Sequence, residues 1–203
     1  MVAASAGVTG RIRPPVCRTR RRESLVERLH MTFVALLHAV NLGARRKVPM
    51  TDLRALLTGL GLREVRTYIQ SGNAVFSADP QPNLRGRLEA ALEAQFGFPV
   101  PVTLRTAQEW QEAAADCPAH LRSEAVVVAF LRDPPDPERV AALRARDVTP
   151  ERWEIVGQTL YQTVQDGVRT MKLSAAVIER TLGVGVTVRN ERTVEAIAAM
   201  LDT

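Results

Sequence analysis

"LEAALEAQFGFPVPVTLRTAQEW" (residues 88–110) returns later in the chain as "LSAAVIERTLGVGVTVRNERTV" (residues 173–194). Each stretch places apolar residues at helical spacing, stops at Gly97 or Gly183, runs through a Val-Thr-x-Arg strand and opens another helix. The alignment needs small gaps, and it reads as an internal duplication.

Working outward, the flanks repeat the same order. "TFVALLHAV" (32–40) is short, apolar and bounded by Asn41 and Gly43, which predicts a buried strand. Thr51 is placed to cap a helix over 52–60, with Leu53, Leu56, Leu57 and Leu60 on one face. "VRTYI" (65–69) and "AVFSA" (74–78) are β-rich runs around the turn "QSGN", followed by a helix over 83–96 and a strand over 100–105. Thr106 or Gln108 opens a connecting helix around Trp110. Beyond it come a strand at 125–131, a helix at 137–145, and strands at 152–156 and 159–164 around Gly157-Gln158. A helix at 172–182, a strand at 185–189 and a helix at 191–201 finish the chain.

The expected fold class is α+β, two ferredoxin-like βαββαβ repeats in tandem, with mixed or antiparallel sheets and helices on one face. The expected divisions are a tail (1–30), a first unit (31–105), a connecting helix and loop (106–122), and a second unit with a C-terminal helix (123–203).

The net charge of +5 suggests nucleic acid until it is located. Residues 1–30 hold seven arginines against two glutamates, and the other 173 residues hold 20 basic and 20 acidic side chains. A strongly basic folded domain is therefore not expected. Only Lys47 and Lys172 of the 27 basic residues are lysine, which most simply reflects a GC-rich coding sequence and devalues single arginines as clues. Cys17, Cys117, His30, His38 and His120 are scattered, so neither a metal site nor a redox motif is expected. No apolar run approaches the roughly 20 residues of a membrane helix. The expectation is a soluble, cytoplasmic protein without membrane partners.

The first thirty residues show no hydrophobic period before Leu25 and carry clustered arginine and a Pro-Pro pair. Such a segment buries too little apolar surface to offset its ordering entropy. Met31 reads as a start, with 1–30 a mis-assigned extension or a disordered tail. A twin-arginine export signal and a phosphate-gripping arm are the alternatives.

"FVALLHAVNLGARRKVPMTDLRALLTGLGLREVRTYIQSGNAVFSA" resembles the start of a bacterial family known as domain of unknown function 1697. "TYIQSGN" is the specific match, and "FGFPVPVTLRT", "VAFL" and "GVTVRNERTVEAI" resemble the later part, so the resemblance covers about residues 32–202. Departures are His38-Ala39 for the family's Arg-Gly, Ala44 for its second loop glycine, and Glu191-Arg192 where it has Trp-Asn. The family carries no established activity, so the resemblance implies fold rather than chemistry.

Chemistry concentrates in two places. If the first and second strands run parallel, the loop Asn41, Gly43, Arg45, Arg46, Lys47 faces Gln70, Ser71 and Asn73 at one sheet end. That gathers amides, a hydroxyl and three cations near a helix start, a candidate ligand site. The loop has no Walker spacing, and the bland alternative is turn geometry with solvated cations. Lys172, Arg189 and Asn190 form a second candidate cluster, in which Asn190 has sufficient reason as a helix cap and Arg189 has Glu191 or Glu195 as possible partners. No nucleophile–base arrangement is evident, so no catalytic residue is named, no cofactor is expected, and an enzyme is the weaker reading. The expected function is a non-enzymatic binding module for a small anionic ligand or a protein partner through the 41–47 loop. The alternatives are a nucleic-acid-binding protein and an unrecognised enzyme.

Overall fold

A computed structural model describes residues 30–165, 167 and 170–202. The expectations for residues 1–29 lie outside the described residues. The order is β1 (Met31–Leu37), α1 (Met50–Gly59), β2 (Arg63–Tyr68), β3 (Asn73–Ala78), α2 (Leu84–Phe96), β4 (Val102–Thr106), α3 (Ala107–Ala115). It continues with β5 (Val126–Leu131), α4 (Pro137–Arg144), β6 (Trp153–Val156), β7 (Thr159–Thr163), α5 (Ala175–Leu182), β8 (Val186–Asn190) and α6 (Glu191–Leu201).

Two four-stranded sheets result, ordered β2-β3-β1-β4 and β6-β7-β5-β8. Every neighbouring pair is antiparallel, so neither sheet is mixed. The helix starts follow local capping chemistry. Thr106 and Glu109 form a reciprocal capping box on α3, Asp136 caps α4 ahead of Pro137, and Asn190 caps α6. Two starts differ from expectation. Helix α1 begins at Met50 behind Pro49, with no side-chain cap from Thr51, because Pro49 already supplies an extended backbone entry and its carbonyl accepts from Leu53 N–H. Helix α5 begins at Ala175, where Ser174 accepts from Val177 N–H, leaving Lys172 in the preceding loop.

The helices do not lie on one face alone. Helices α1 and α2 cover one side of the first sheet through Leu53, Leu57, Leu88 and Leu92, packed on Ala35, Leu37 and Phe76. The far side of the second sheet packs Leu143, Ile178 and Leu182 on Ala129, Leu131 and Leu160. Helices α3 and α6 fill the space between the sheets, where Trp110, Ala113, Val194 and Ile197 meet Val34, Leu36 and Val75 from one sheet and Val126, Val128 and Phe130 from the other. The Trp110 and Phe130 rings stack at 4.6 Å and 8°. Trp110 Nε1 donates to Val194 O at 3.1 Å, and Tyr161 Oη donates to Ala113 O at 2.8 Å, so the polar tips of this central layer are satisfied. Central strands covered on both faces explain why β1, β3 and β5 read as near-continuous apolar runs rather than alternating ones.

Candidate functional site

The strand order makes β1 and β2 parallel, which brings the β1–α1 loop to the β2–β3 turn. Leu37 N–H donates to Gly72 O at 2.8 Å, and Asn41 Nδ2 donates to Gln70 O at 2.7 Å. The two segments therefore meet, but their polar groups are largely spent on each other. Asn41, left-handed at φ 58°, also donates from Nδ2 to Val48 O and accepts from Val48 N–H on Oδ1, both at 2.9 Å. Its backbone N–H donates to Arg46 O at 3.0 Å, closing the loop into a ring. Arg46 donates to Pro99 O at 2.5 Å and stands over the Phe98 ring at 5.0 Å. Gly43, Arg45 and Lys47 are exposed, Gln70 is exposed, and Ser71 is half-buried. What the loop presents outward is apolar as well as cationic: Leu42 is 73% exposed and Ile69 52%. Sequence reasoning missed both, because an exposed leucine looks the same in a sequence as a buried one.

The second predicted cluster separates. Lys172 Nζ donates to Thr149 O at 2.5 Å, and its backbone N–H donates to Glu151. Asn190 Oδ1 accepts from Thr193 N–H at 2.9 Å and is accounted for as a cap. Arg189 pairs with neither Glu191 nor Glu195. It crosses into the first sheet, where Nε donates to Asn73 Oδ1 at 2.6 Å and Nη2 donates to Ser71 O at 3.1 Å and Leu37 O at 3.4 Å. Asn73 in turn donates from Nδ2 to Tyr68 O at 3.0 Å and Ser71 Oγ at 2.9 Å. The two candidate clusters thus meet through Arg189, which bonds the Asn73 side chain in a buried contact and the Ser71 carbonyl in a partly buried one.

Arg105 repeats this arrangement in reverse. It pairs with Val34 across β1–β4, as Arg189 pairs with Val128 across β5–β8. Its Nη2 donates to Leu131 O at 2.5 Å and Gln158 O at 3.2 Å, at the end of β5 and in the β6–β7 turn. Each sheet therefore sends one arginine into the strand end and hairpin turn of the other. Burial pushes the Arg189 guanidinium down to about 10 and lowers that of Arg105 too, yet both stay cationic at neutral pH. The repeated Val-Thr-x-Arg was the only sequence signal for this pair.

His38, the residue after β1, is buried near Arg189 and Arg132, and its Nε2 shares a hydrogen bond with Thr103 Oγ1 at 2.7 Å. Burial first, and the charges of Arg189 and Arg132 second, lower its pKa to about 4, so the ring is neutral. Ala39, where the resembled family has glycine, takes φ 51°.

Phe76 is fully buried beneath α1 and α2, and the other side of the same sheet is covered by α3 and α6. An RNA platform of exposed sheet aromatics is therefore not present among the described residues. Nor do the described residues include a metal-binding group of three or more His, Cys, Asp or Glu, or a helix long and apolar enough to cross a membrane.

Residues 31–161 match the family described as "Protein of unknown function (DUF1697)". The chain belongs to this family. Among solved structures, the conserved bacterial protein SP0830 from Streptococcus pneumoniae is similar at a TM-score of 0.69 and 22% identity, over 85% of this chain and 99% of that one. At that identity the likeness speaks for the fold alone. No curated protein matches the sequence. Membership in DUF1697 therefore fixes relatedness, and an activity has to be argued from this chain's own surface.

Proposed function

We propose that the protein is a non-enzymatic binding module that docks a protein partner through the 41–47 loop and the 69–72 turn. The observation that carries this reading is the exposure of Leu42 and Ile69 on either side of the Asn41–Gln70 bond, beside Arg45, Arg46 and Lys47. Apolar side chains held outward by a rigid, hydrogen-bonded loop and rimmed with cations suit a partner segment that combines acidic and apolar residues. A small anion is the less favoured ligand, because the amide and hydroxyl groups that would cradle it, on Asn41, Ser71 and Asn73, are engaged internally. Each sheet–helix unit is proposed to be a ferredoxin-like βαββαβ repeat arisen by duplication, spanning 31–105 and 123–203 around a connecting 106–122. The matching strand orders and the reciprocal arginines support that division. A cytoplasmic location is part of the same proposal.

The test is peptide display against the full chain. Enriched peptides should combine Asp or Glu with Leu, Ile or Phe, and should lose binding to the Leu42→Ser/Ile69→Ser variant, whose thermal stability stays close to wild type because both side chains are exposed. Enrichment indifferent to that variant overturns the reading. Oligonucleotide binding that vanishes in Arg45→Ala/Arg46→Ala/Lys47→Ala would place nucleic acid first instead.

A further inference from the structure

The reciprocal arginines differ in one respect. Asn73 pairs with Leu36 across β3–β1, and Thr159 pairs with Phe130 across β7–β5, so the two residues occupy equivalent places beside Arg189 and Arg105. At Asn73 a carboxamide closes the site: its oxygen accepts from Arg189 Nε and its nitrogen donates to Tyr68 O. Thr159 is too short to do this. Among the described residues the hydrogen bonds of Arg105 are all made by its two terminal nitrogens, to Leu104 O, Leu131 O and Gln158 O. Arg105 is only 6% exposed, yet it lines a cleft of about 260 Å³ together with Thr159, the residue in the place of Asn73. The same cleft is lined by Glu109 and Glu112 of α3 and by Asp116, the residue that ends that helix. Glu109 is occupied with the α3 capping box.

We propose that the Arg105 cleft is a binding site for a carboxamide carried beside an ammonium group, the chemistry of an α-amino amide or the free N-terminus of a peptide. The amide oxygen accepts from Arg105 Nε, as Asn73 does for Arg189, and the ammonium faces Glu112 and Asp116. An isolated carboxylate ligand would meet those two acids and be repelled, whereas a neutral amide would satisfy the arginine alone. This site is separate from the 41–47 loop and stands whether or not that loop docks a partner.

The experiment titrates the full chain with glycinamide, and in parallel with acetamide, glycine and the tripeptide Gly-Gly-Gly, following the arginine Nε–H and backbone amide signals by NMR. Glycinamide should shift Arg105 Nε–H together with the amides of Gly157–Thr159, at millimolar concentrations fitting so small a ligand. Acetamide should bind more weakly and glycine more weakly than glycinamide. A peptide site shows itself if Gly-Gly-Gly exceeds glycinamide, and a small-amide site if it does not. Thr159→Asn installs the residue that closes the sister site and should weaken glycinamide at least tenfold in a folded protein. Glu112→Gln/Asp116→Asn should bring glycinamide down to the level of acetamide. The proposal is overturned if glycinamide leaves Arg105 Nε–H unmoved, or if neither variant changes its affinity.

Discussion

The two sheet–helix units differ most where the strand β1 or β5 ends. In the first unit, Leu37 is followed by a twelve-residue connection to α1, ringed by Asn41 and packed against a turn carrying Asn73. In the second, Leu131 is followed by a five-residue connection to α4, and the matching turn is the two-residue Gly157-Gln158. Both ends receive an arginine from the opposite sheet, but the first meets the Asn73 carboxamide at its Nε whereas the second lines a cleft beside Thr159. The same strand pairing has thus been completed in two ways, by an internal side chain in one unit and by an open cleft in the other. Loops on a rigid scaffold vary more than the core they stand on, and here two similar sheet–helix units differ at their loops while their strand orders match.

The hairpin turns should separate the units most sharply. Gly72 takes φ 77°, and an added Cβ would lie 2.7 Å from Val40 Cγ2 and 2.8 Å from Leu37 Cβ. Leu37 cannot give way, because its N–H is bonded to Gly72 O and its strand is central. Gly157 also has positive φ, at 58°, but nothing lies within 4 Å of a Cβ there. Gly72→Ala should therefore cost about 3 to 4 kcal/mol, combining left-handed strain with overpacking, and Gly157→Ala only about 1 kcal/mol. Urea unfolding of the two variants checks this, and equal costs would mean that the first turn is as roomy as the second.

Next in size is the residue after each strand, His38 in one unit and Arg132 in the other, whose N–H groups donate to Pro101 O and Gly185 O. Arginine keeps its charge at any accessible pH, whereas histidine does not. The unfolded His38 takes up a proton near its ordinary 6.5 but the folded one only near 4. Between those values the unfolded state binds more protons, so stability is fully present above pH 6.5 and falls as the pH drops towards 4. The loss amounts to about 3 kcal/mol for this single group. Subtracting the pH profile of His38→Gln from that of the wild type isolates it from the carboxylates. A difference that stays flat from pH 7 to 4 would show that the ring is not held dry between Arg189 and Arg132.

The repeated helix–glycine–strand pattern made the element order readable in the sequence, because periodicity and turn residues are local properties. The convergence of the 41–47 loop with the 70–73 turn was also readable, since it follows once two strands run parallel. The arginine exchange was not. Arg189 lies 116 residues from Asn73, and nothing local distinguishes a guanidinium that crosses to another sheet from one that pairs with Glu191. The burial of both sheet faces was hidden for a related reason. Trp110 and Val194 sit on helices whose apolar stripes fit either a solvent-bridging connector or a central layer, and only the opposing sheets decide between them.

The smallest expected effect concerns the residue after His38, and here sign matters more than size. Ala39 is exposed and left-handed at φ 51°, while its counterpart Asp133 is outside that region and accepts from Arg85 Nη1 at 2.8 Å. Glycine at 39 relieves about 1 kcal/mol or more of backbone strain and returns part of it as added freedom of the unfolded chain. The net gain for Ala39→Gly should be about 0.5 kcal/mol, since an exposed methyl has little packing to lose. Asp133→Gly adds the same unfolded-chain freedom with no strain to relieve and removes an ion pair, so it should lose about 1 kcal/mol. Thermal unfolding of the two variants should therefore move in opposite directions. If Ala39→Gly also destabilised, the left-handed turn after β1 would have to be held by contacts of the methyl itself, and the contrast between the two strand ends would be one of packing rather than of backbone conformation.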